Sequence, residues 1–415
     1  MIKKLMKNDF NKNALTLITG TTLAQALPIA ISPILTRIYT PEEFGLLGIF
    51  LAITAIFGSI ANGRYELAIV LPEKEEDAIN LVIISILIAM SFSIFLFVTL
   101  LVLKILNLTS FKIDAIILYL VPLSVLAIGI YNALNYYHIR IKKFKLIAET
   151  SIYRSISLSF FQVSLGFLNM GYIGLVISQL ISSLTSIGKL GRNFIEHFKK
   201  SNIKKGELSK VAKKYNRFPK YSIGGVFINT FSQNINNFII PSFFVSSSLG
   251  NYSLIIKMLG TPSVLIGNSL SQVYYQKASS QMNISKSCRE LYIKTTIKLV
   301  VIAIPIFSGL YFVIDNYIVV IFGEEWKDLE RYGKILLPLF LIRFVSSTMS
   351  ITLTVFKREK EFLFINVMIL LIYLLSTVFV VIYNFSIEEF LKMQTIILGL
   401  FYLILIFRYY YISKG

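Results

Sequence analysis

Arg154, Lys257 and Arg343 are each flanked on both sides by apolar or small residues, inside long apolar stretches. A cation at mid-membrane depth costs several kcal/mol unless it faces a wet cavity or a partner. Arginine offers a fork of donors to phosphate or carboxylate oxygens, and lysine offers a point charge, so these three residues suit anion binding. Amides occupy similar stretches: Gln25, Asn132, Asn135, Gln162, Asn268, Gln272, and the run Asn229, Gln233, Asn234, Asn236 and Asn237. Asn229, Gln233 and Asn236 follow i, i+4, i+7 and share one face of a continuous helix. Hydrogen bonding between helices accounts for one or two amides per helix. Five in one stretch point instead to a hydrated lumen. Arg37 and Arg64 lie at opposite ends of the first two apolar stretches, where snorkelling to the interface is an open alternative to binding.

The remaining chemistry is sparse. No Walker motif, HExxH, GxSxG or aspartate cluster is present, so the chain does not read as an enzyme. The single cysteine, Cys288, cannot form an internal disulfide, and His138 and His197 sit among lysines and arginines. A His/Cys metal site or a Cys/His nucleophile pair is not expected, and neither is any cofactor. Carboxylates are scarce in the apolar stretches, so proton or sodium coupling stays open with no buried carboxylate to nominate a site. The acidic run Glu73, Glu75, Glu76 and Asp77 precedes the third stretch, where negative charge favours a helix N-terminus.

The elements that must position these groups are membrane helices. Of 415 residues, 55% are hydrophobic and only 15% charged, with a mean hydropathy of +0.70. Apolar runs of twenty or more residues exclude a β-barrel, whose strands alternate. Twelve spans are predicted: 14–38, 43–62, 79–103, 114–137, 147–168, 172–190, 220–243, 249–273, 295–314, 332–356, 361–383 and 389–411. With both termini cytoplasmic, 31 of the 41 lysines and arginines fall inside, among them Lys3, Lys4, Lys7 and Lys12, against seven outside, among them Lys112. The net charge of +19 is thus a topology signal and needs no nucleic-acid partner. Residues 1–190 form a first six-span lobe, 191–219 a basic cytoplasmic linker, and 220–415 a second lobe. Gly45 and Gly250 occupy similar sequence contexts about half a chain apart, which suggests a parallel duplication. Seven of the ten prolines, with Gly224-Gly225, supply soft points suited to alternating access.

The segments Leu17–Gln25, Ser32–Gly45, Arg64–Pro72 and Gln272–Ser279 resemble the Wzx-type polysaccharide flippases of the multidrug/oligosaccharidyl-lipid/polysaccharide exporter superfamily. That resemblance implies two six-helix lobes around a central cavity in the bacterial inner membrane. It implies translocation of undecaprenyl-diphosphate-linked oligosaccharide for O-antigen or capsule assembly, beside membrane lipids and in company with a polymerase and chain-length regulator. Arg154, Lys257, Arg343, Arg64, Arg37, Gln25, Asn229, Gln233 and Asn236 are the residues matched to a diphosphate and a hydroxyl-rich glycan. A multidrug or other lipid-linked precursor exporter of the same fold is the nearest alternative. A membrane polysaccharide polymerase fits less well, because the longest external loop, 315–332, is short and acidic.

Overall fold

The computed structural model describes residues 9–106, 115–199 and 208–415, with side chains described from Thr19 onward except at 115–118 and 283–285. Lys3, Lys4, Lys7, Lys112 and linker residues 200–207 lie outside the described residues, as does the side chain of Lys12.

Among the described residues every element is helical. In chain order they begin with α1 (Asp9–Ala30), α2 (Ser32–Leu35), α3 (Pro41–Gly58) and a 3-10 turn at Tyr65–Val70. Next come α4 (Glu75–Ile105), α5 (Ala115–Arg140), α6 (Phe144–Phe167), α7 (Gly171–Phe198), α8 (Leu208–Lys214) and α9 (Arg217–Asn234). Then follow α10 (Asn236–Phe243), α11 (Ser246–Pro262), a π turn at Ser263–Gly267, α12 (Asn268–Ser285) and α13 (Arg289–Phe322). The chain closes with a turn at Glu324–Trp326, α14 (Asp328–Met349), α15 (Ile351–Val355), α16 (Glu359–Tyr383) and α17 (Ile387–Ile412).

Nine of the expected spans coincide with helices long and apolar enough to cross a membrane. The protein is a multi-pass membrane protein. Expected spans 5 and 7 are helical but fall short of that apolarity, because α6 carries Arg154, Gln162 and a row of serines, and α9 carries the amides. Expected span 1 is helical over Asp9–Ala30.

Expected span 7 is also broken, though not at Gly224-Gly225. The helix runs through both glycines and ends at Asn234, and a new helix starts at Asn236. Asparagine side chains compete with helical hydrogen bonds, and here Asn237 Nδ2 donates to the Asn234 carbonyl across the break at 3.2 Å. Asn229 and Gln233 thus lie on the first segment and Asn236 on the second, joined through Ile235, whose backbone stays helical at φ −61° and ψ −34°.

The chain divides into two compact units, Met1–Ile31 with Ile49–Thr230, and Ser32–Gly48 with Phe231–Gly415. The division drawn from sequence had placed residues 32–48 in the first lobe and 220–230 in the second.

In the first unit, α1 and α6 pack closely because small residues meet. A Cβ on Gly20 would lie 2.5 Å from that of Ala148, and Ser155 Oγ donates to the Ala24 carbonyl. The core joins Ile79, Leu81 and Val82 of α4 to Tyr137 of α5 and Leu190 of α7. α8 docks through buried Val211, and Tyr65 OH donates to the Ala212 carbonyl at 3.0 Å.

The acidic run does what its position implies. Glu75, Glu76 and Asp77 fill the first turn of α4, whose N-cap residue, Lys74, contributes no side-chain cap. The same carboxylates also tie neighbouring helices. Tyr137 OH donates to Glu75 Oε1 at 3.3 Å, and Lys214 Nζ lies 3.5 Å from Asp77 Oδ2. Arg140 donates to the carbonyls of Glu73 and Lys74 at 3.3 and 3.4 Å. Replacing Glu73, Glu75, Glu76 and Asp77 with Gln or Asn should lower the thermal midpoint and abundance, each exposed pair contributing at most about 1 kcal/mol. Activity per folded molecule should be unchanged. Lost activity at normal abundance would contradict a purely structural role.

In the second unit, Gly45 and Gly250 prove to be each other's neighbours. A Cβ on Gly45 would stand 2.8 Å from the Ser246 carbonyl oxygen and 3.4 Å from Gly250 N, and one on Gly250 would overlap the Pro41 carbonyl. Only glycine lets α3 and α11 approach this closely. Beside them, buried Trp326 donates from Nε1 to the Thr36 carbonyl at 3.1 Å and meets Phe44 edge-to-face at 5.0 Å.

Candidate functional site: cations and amides in the two units

In the first unit, the α1–α6 contact fixes two of the candidate residues. Gly20 and Ala24 face Ala148 and Ser155, so the two helices run parallel. Gln25 is one residue, about 100° of rotation, beyond Ala24, and Arg154 is the same angle before Ser155. On parallel helices facing each other, these opposite rotations lead to the same side of the pair. Gln25 is exposed there and Arg154 half-buried, its guanidinium 5.3 Å from the Tyr131 ring centroid. Among the described residues Arg154 enters no ion pair. Nearby on α6, Glu149 is instead held by Lys189 at 3.0 Å.

In the second unit, a buried polar network sits among apolar helices. Asn236 Nδ2 donates to Tyr252 OH at 2.7 Å and to Gln394 Oε1 at 2.8 Å, and Gln394 Nε2 donates back to Asn236 Oδ1 at 3.2 Å. These bonds satisfy groups that would otherwise each cost about 1–3 kcal/mol in burial. Arg343 lies within electrostatic reach of the hydroxyls of Tyr402, Tyr373 and Tyr252, and its guanidinium is 5.6 Å from the Phe340 ring centroid. It is half-buried, and among the described residues it enters no ion pair. A cation among phenols, one of them bonded to Asn236, and without a carboxylate partner among the described residues, is arranged to meet an external anion and hydroxyl groups together.

The other candidates differ in burial and partners. Lys257 and Gln233 are exposed and Asn229 half-buried. Arg37 is exposed, donates to the Val320 carbonyl at 2.8 Å, and lies against Gly323. Arg64, held in the left-handed region at φ 63°, forms an ion pair with Glu66 at 3.1 Å.

Glu66 corrects the expectation that no carboxylate is buried, being only 2% exposed. The sequence reads 63–78 as a cytoplasmic loop, but Tyr65–Val70 folds as a turn packed against α4 and α5, with Tyr65, Ala68 and Ile69 in the core. Sequence reasoning also missed Tyr252, Tyr373, Tyr402 and Gln394. A glutamine and three tyrosines in apolar helices were visible as types, but nothing local marked them as neighbours of Asn236 and Arg343.

Residues 34–331 match the family of polysaccharide biosynthesis proteins, well over half of the chain. The chain belongs to this family. A member-like relative is the teichuronic acid biosynthesis protein TuaB of Bacillus subtilis (strain 168), 25% identical over 109 residues, which are 26% of this chain. The chain matches only 23% of TuaB's length. Solved structures add the fold. An inward-facing multidrug resistance MATE family transporter of the MOP superfamily superposes with a TM-score of 0.69 at 12% identity, covering 95% of this chain and 93% of that one. An outward-facing MATE structure gives 0.63 at 14% identity, with 97% of each chain covered. A MOP superfamily transporter from Pyrococcus furiosus, described as having a binding pocket of reversed polarity, gives 0.64 at 12%, again with 97% of each covered. The resemblance seen in the sequence motifs thus holds for family and fold, and the fold is one that transporters use.

Proposed function

We propose that this protein is a membrane exporter that flips undecaprenyl-diphosphate-linked oligosaccharide units across the bacterial inner membrane by alternating access, with both termini cytoplasmic. The observation that carries the reading is Arg343, an arginine without a carboxylate partner among the described residues, set beside the Asn236–Tyr252–Gln394 network. An anionic diphosphate suits the cation, and sugar hydroxyls suit the amides and phenols. Arg154, with Gln25 on the same side of its helix pair, supplies a second such combination, and Lys257 adds a third cation. Membership of a polysaccharide biosynthesis family supports a glycan cargo, and the MATE-like fold supports export. O-antigen or capsule assembly is the pathway this cargo would feed, with a polymerase acting after it. Coupling to a proton or sodium gradient is compatible with the fold.

The test is reconstitution of the full chain in liposomes with a fluorescent lipid-linked oligosaccharide, reading how fast the label becomes accessible on the opposite face. Wild-type protein should accelerate exchange, whereas Arg154→Ala and Lys257→Ala should slow it at normal protein abundance. Transport of lipophilic cationic dyes, with no movement of the glycolipid, would favour the multidrug alternative. Wild-type rates for Arg154→Ala, Lys257→Ala and Arg343→Ala alike would remove the cationic mechanism.

A further inference from the structure

The hairpin joining α16 to α17 carries a groove that the transport chemistry does not use. It is an open depression of about 500 Å³ lined by Phe379, Tyr383 and Phe385 and by Met393, Ile396 and Ile397 of α17, with Lys392 and Glu389 also in its lining. The three aromatic rings form a ladder. Phe379 and Tyr383 stack at 5.9 Å with an 11° tilt, and Tyr383 and Phe385 at 5.8 Å with a 26° tilt. Tyr383 is 62% exposed and Ile396 63%. So much flat apolar surface at the end of two membrane helices has hydrocarbon as its natural neighbour, and tyrosine with lysine beside it marks headgroup depth.

The charges select the occupant. The Glu389 carboxylate is turned back on Ser386, accepting from its backbone N and its Oγ, both at 2.8 Å, in a capping box that fixes the start of α17. Lys392 is exposed, and among the described residues it enters no ion pair, although Glu389 senses it at longer range. One ammonium outside any ion pair among the described residues therefore lines this largely apolar depression. A single phosphodiester carries the one negative charge that matches it. A lipid diphosphate, with two or more, would call for further cations that this rim lacks.

We propose that this groove binds one anionic phospholipid of the phosphatidylglycerol class, with its phosphate on the Lys392 ammonium and one acyl chain between the aromatic ladder and the Met393–Ile397 wall. The lipid braces the hairpin and is distinct from the transported cargo. It would bind whatever the cargo proves to be.

Native mass spectrometry of the delipidated full chain, resupplied with phosphatidylglycerol, phosphatidylethanolamine or a polyprenyl diphosphate, tests this. Retained phosphatidylglycerol should exceed phosphatidylethanolamine, and Lys392→Gln should lower its retention about fivefold, the size of one lysine's attraction to anionic lipid. The double change Phe379→Ala with Tyr383→Ala should lower it as well, while Lys298→Gln, an exposed lysine elsewhere, should not. Equal phosphatidylglycerol retention by wild type and Lys392→Gln would overturn the site. So would equal retention of the two phospholipids, or a Lys392-dependent preference for the polyprenyl diphosphate.

Discussion

Gly250→Ala should leave little folded protein in the membrane. The added Cβ would overlap the Pro41 carbonyl, which is backbone in α3 and cannot rotate away as a side chain would. A cost at or beyond roughly 4 kcal/mol, the far tail for single substitutions, is expected. Gly45→Ala should be milder, since its Cβ would meet Ser246 O at 2.8 Å and Gly250 N at 3.4 Å. Gly224→Ala meets nothing within 4 Å and lies inside a helix, so it should be neutral or stabilise by up to about 1 kcal/mol. Abundance and thermal midpoint of the three purified variants read the series. A Gly250→Ala protein as abundant and stable as wild type would show that this helix crossing is not needed.

The second large effect should fall on transport. Arg343→Ala removes a guanidinium that among the described residues neutralises no carboxylate, so no buried partner is stranded and abundance should stay near wild type. A hydrogen bond to a charged group contributes about 1.5–3 kcal/mol. Export should therefore drop roughly ten- to a hundredfold. Arg343→Lys keeps the charge but loses the fork, and should fall in between. Gln394→Leu is the counter-case. It strips Asn236 of a partner in a buried network, so abundance and export should fall together. If Arg343→Ala also loses abundance in step with export, Arg343 is a packing residue and the anion-binding role fails.

The helices were legible because hydropathy is a local property, and nine expected spans overlie nine apolar helices, although several helices run six to nine residues past the expected ends. Arg154 and Arg343 were legible for the same reason, as cations whose sequence neighbours cannot hydrate them. What escaped was non-local. Gln394 lies 158 residues from the Asn236 that it holds, and no periodicity links them. Glu66 looked like loop because a charged pair interrupts its run, yet Tyr65, Ala68 and Ile69 around it are core residues. Gly224-Gly225 read as a soft point of expected span 7, yet the helix runs through both and is interrupted at Ile235, where Asn237 donates to the Asn234 carbonyl. The match between Gly45 and Gly250 was noticed as a repeat, and nothing in the sequence showed that the two are also in contact.

That contact has a bearing on how the protein is made. Residues 32–48 leave the ribosome early, but the surfaces that hold them, Ser246–Gly250 and Val320–Trp326, come about two hundred and about three hundred residues later. At the usual synthesis rates of roughly 5–20 residues per second, the wait is on the order of ten seconds to a minute. Throughout it, the Thr36 carbonyl and the Phe44 ring have yet to meet their partners. A chain that stops before Trp326 leaves the Thr36 carbonyl and the Phe44 ring without these partners.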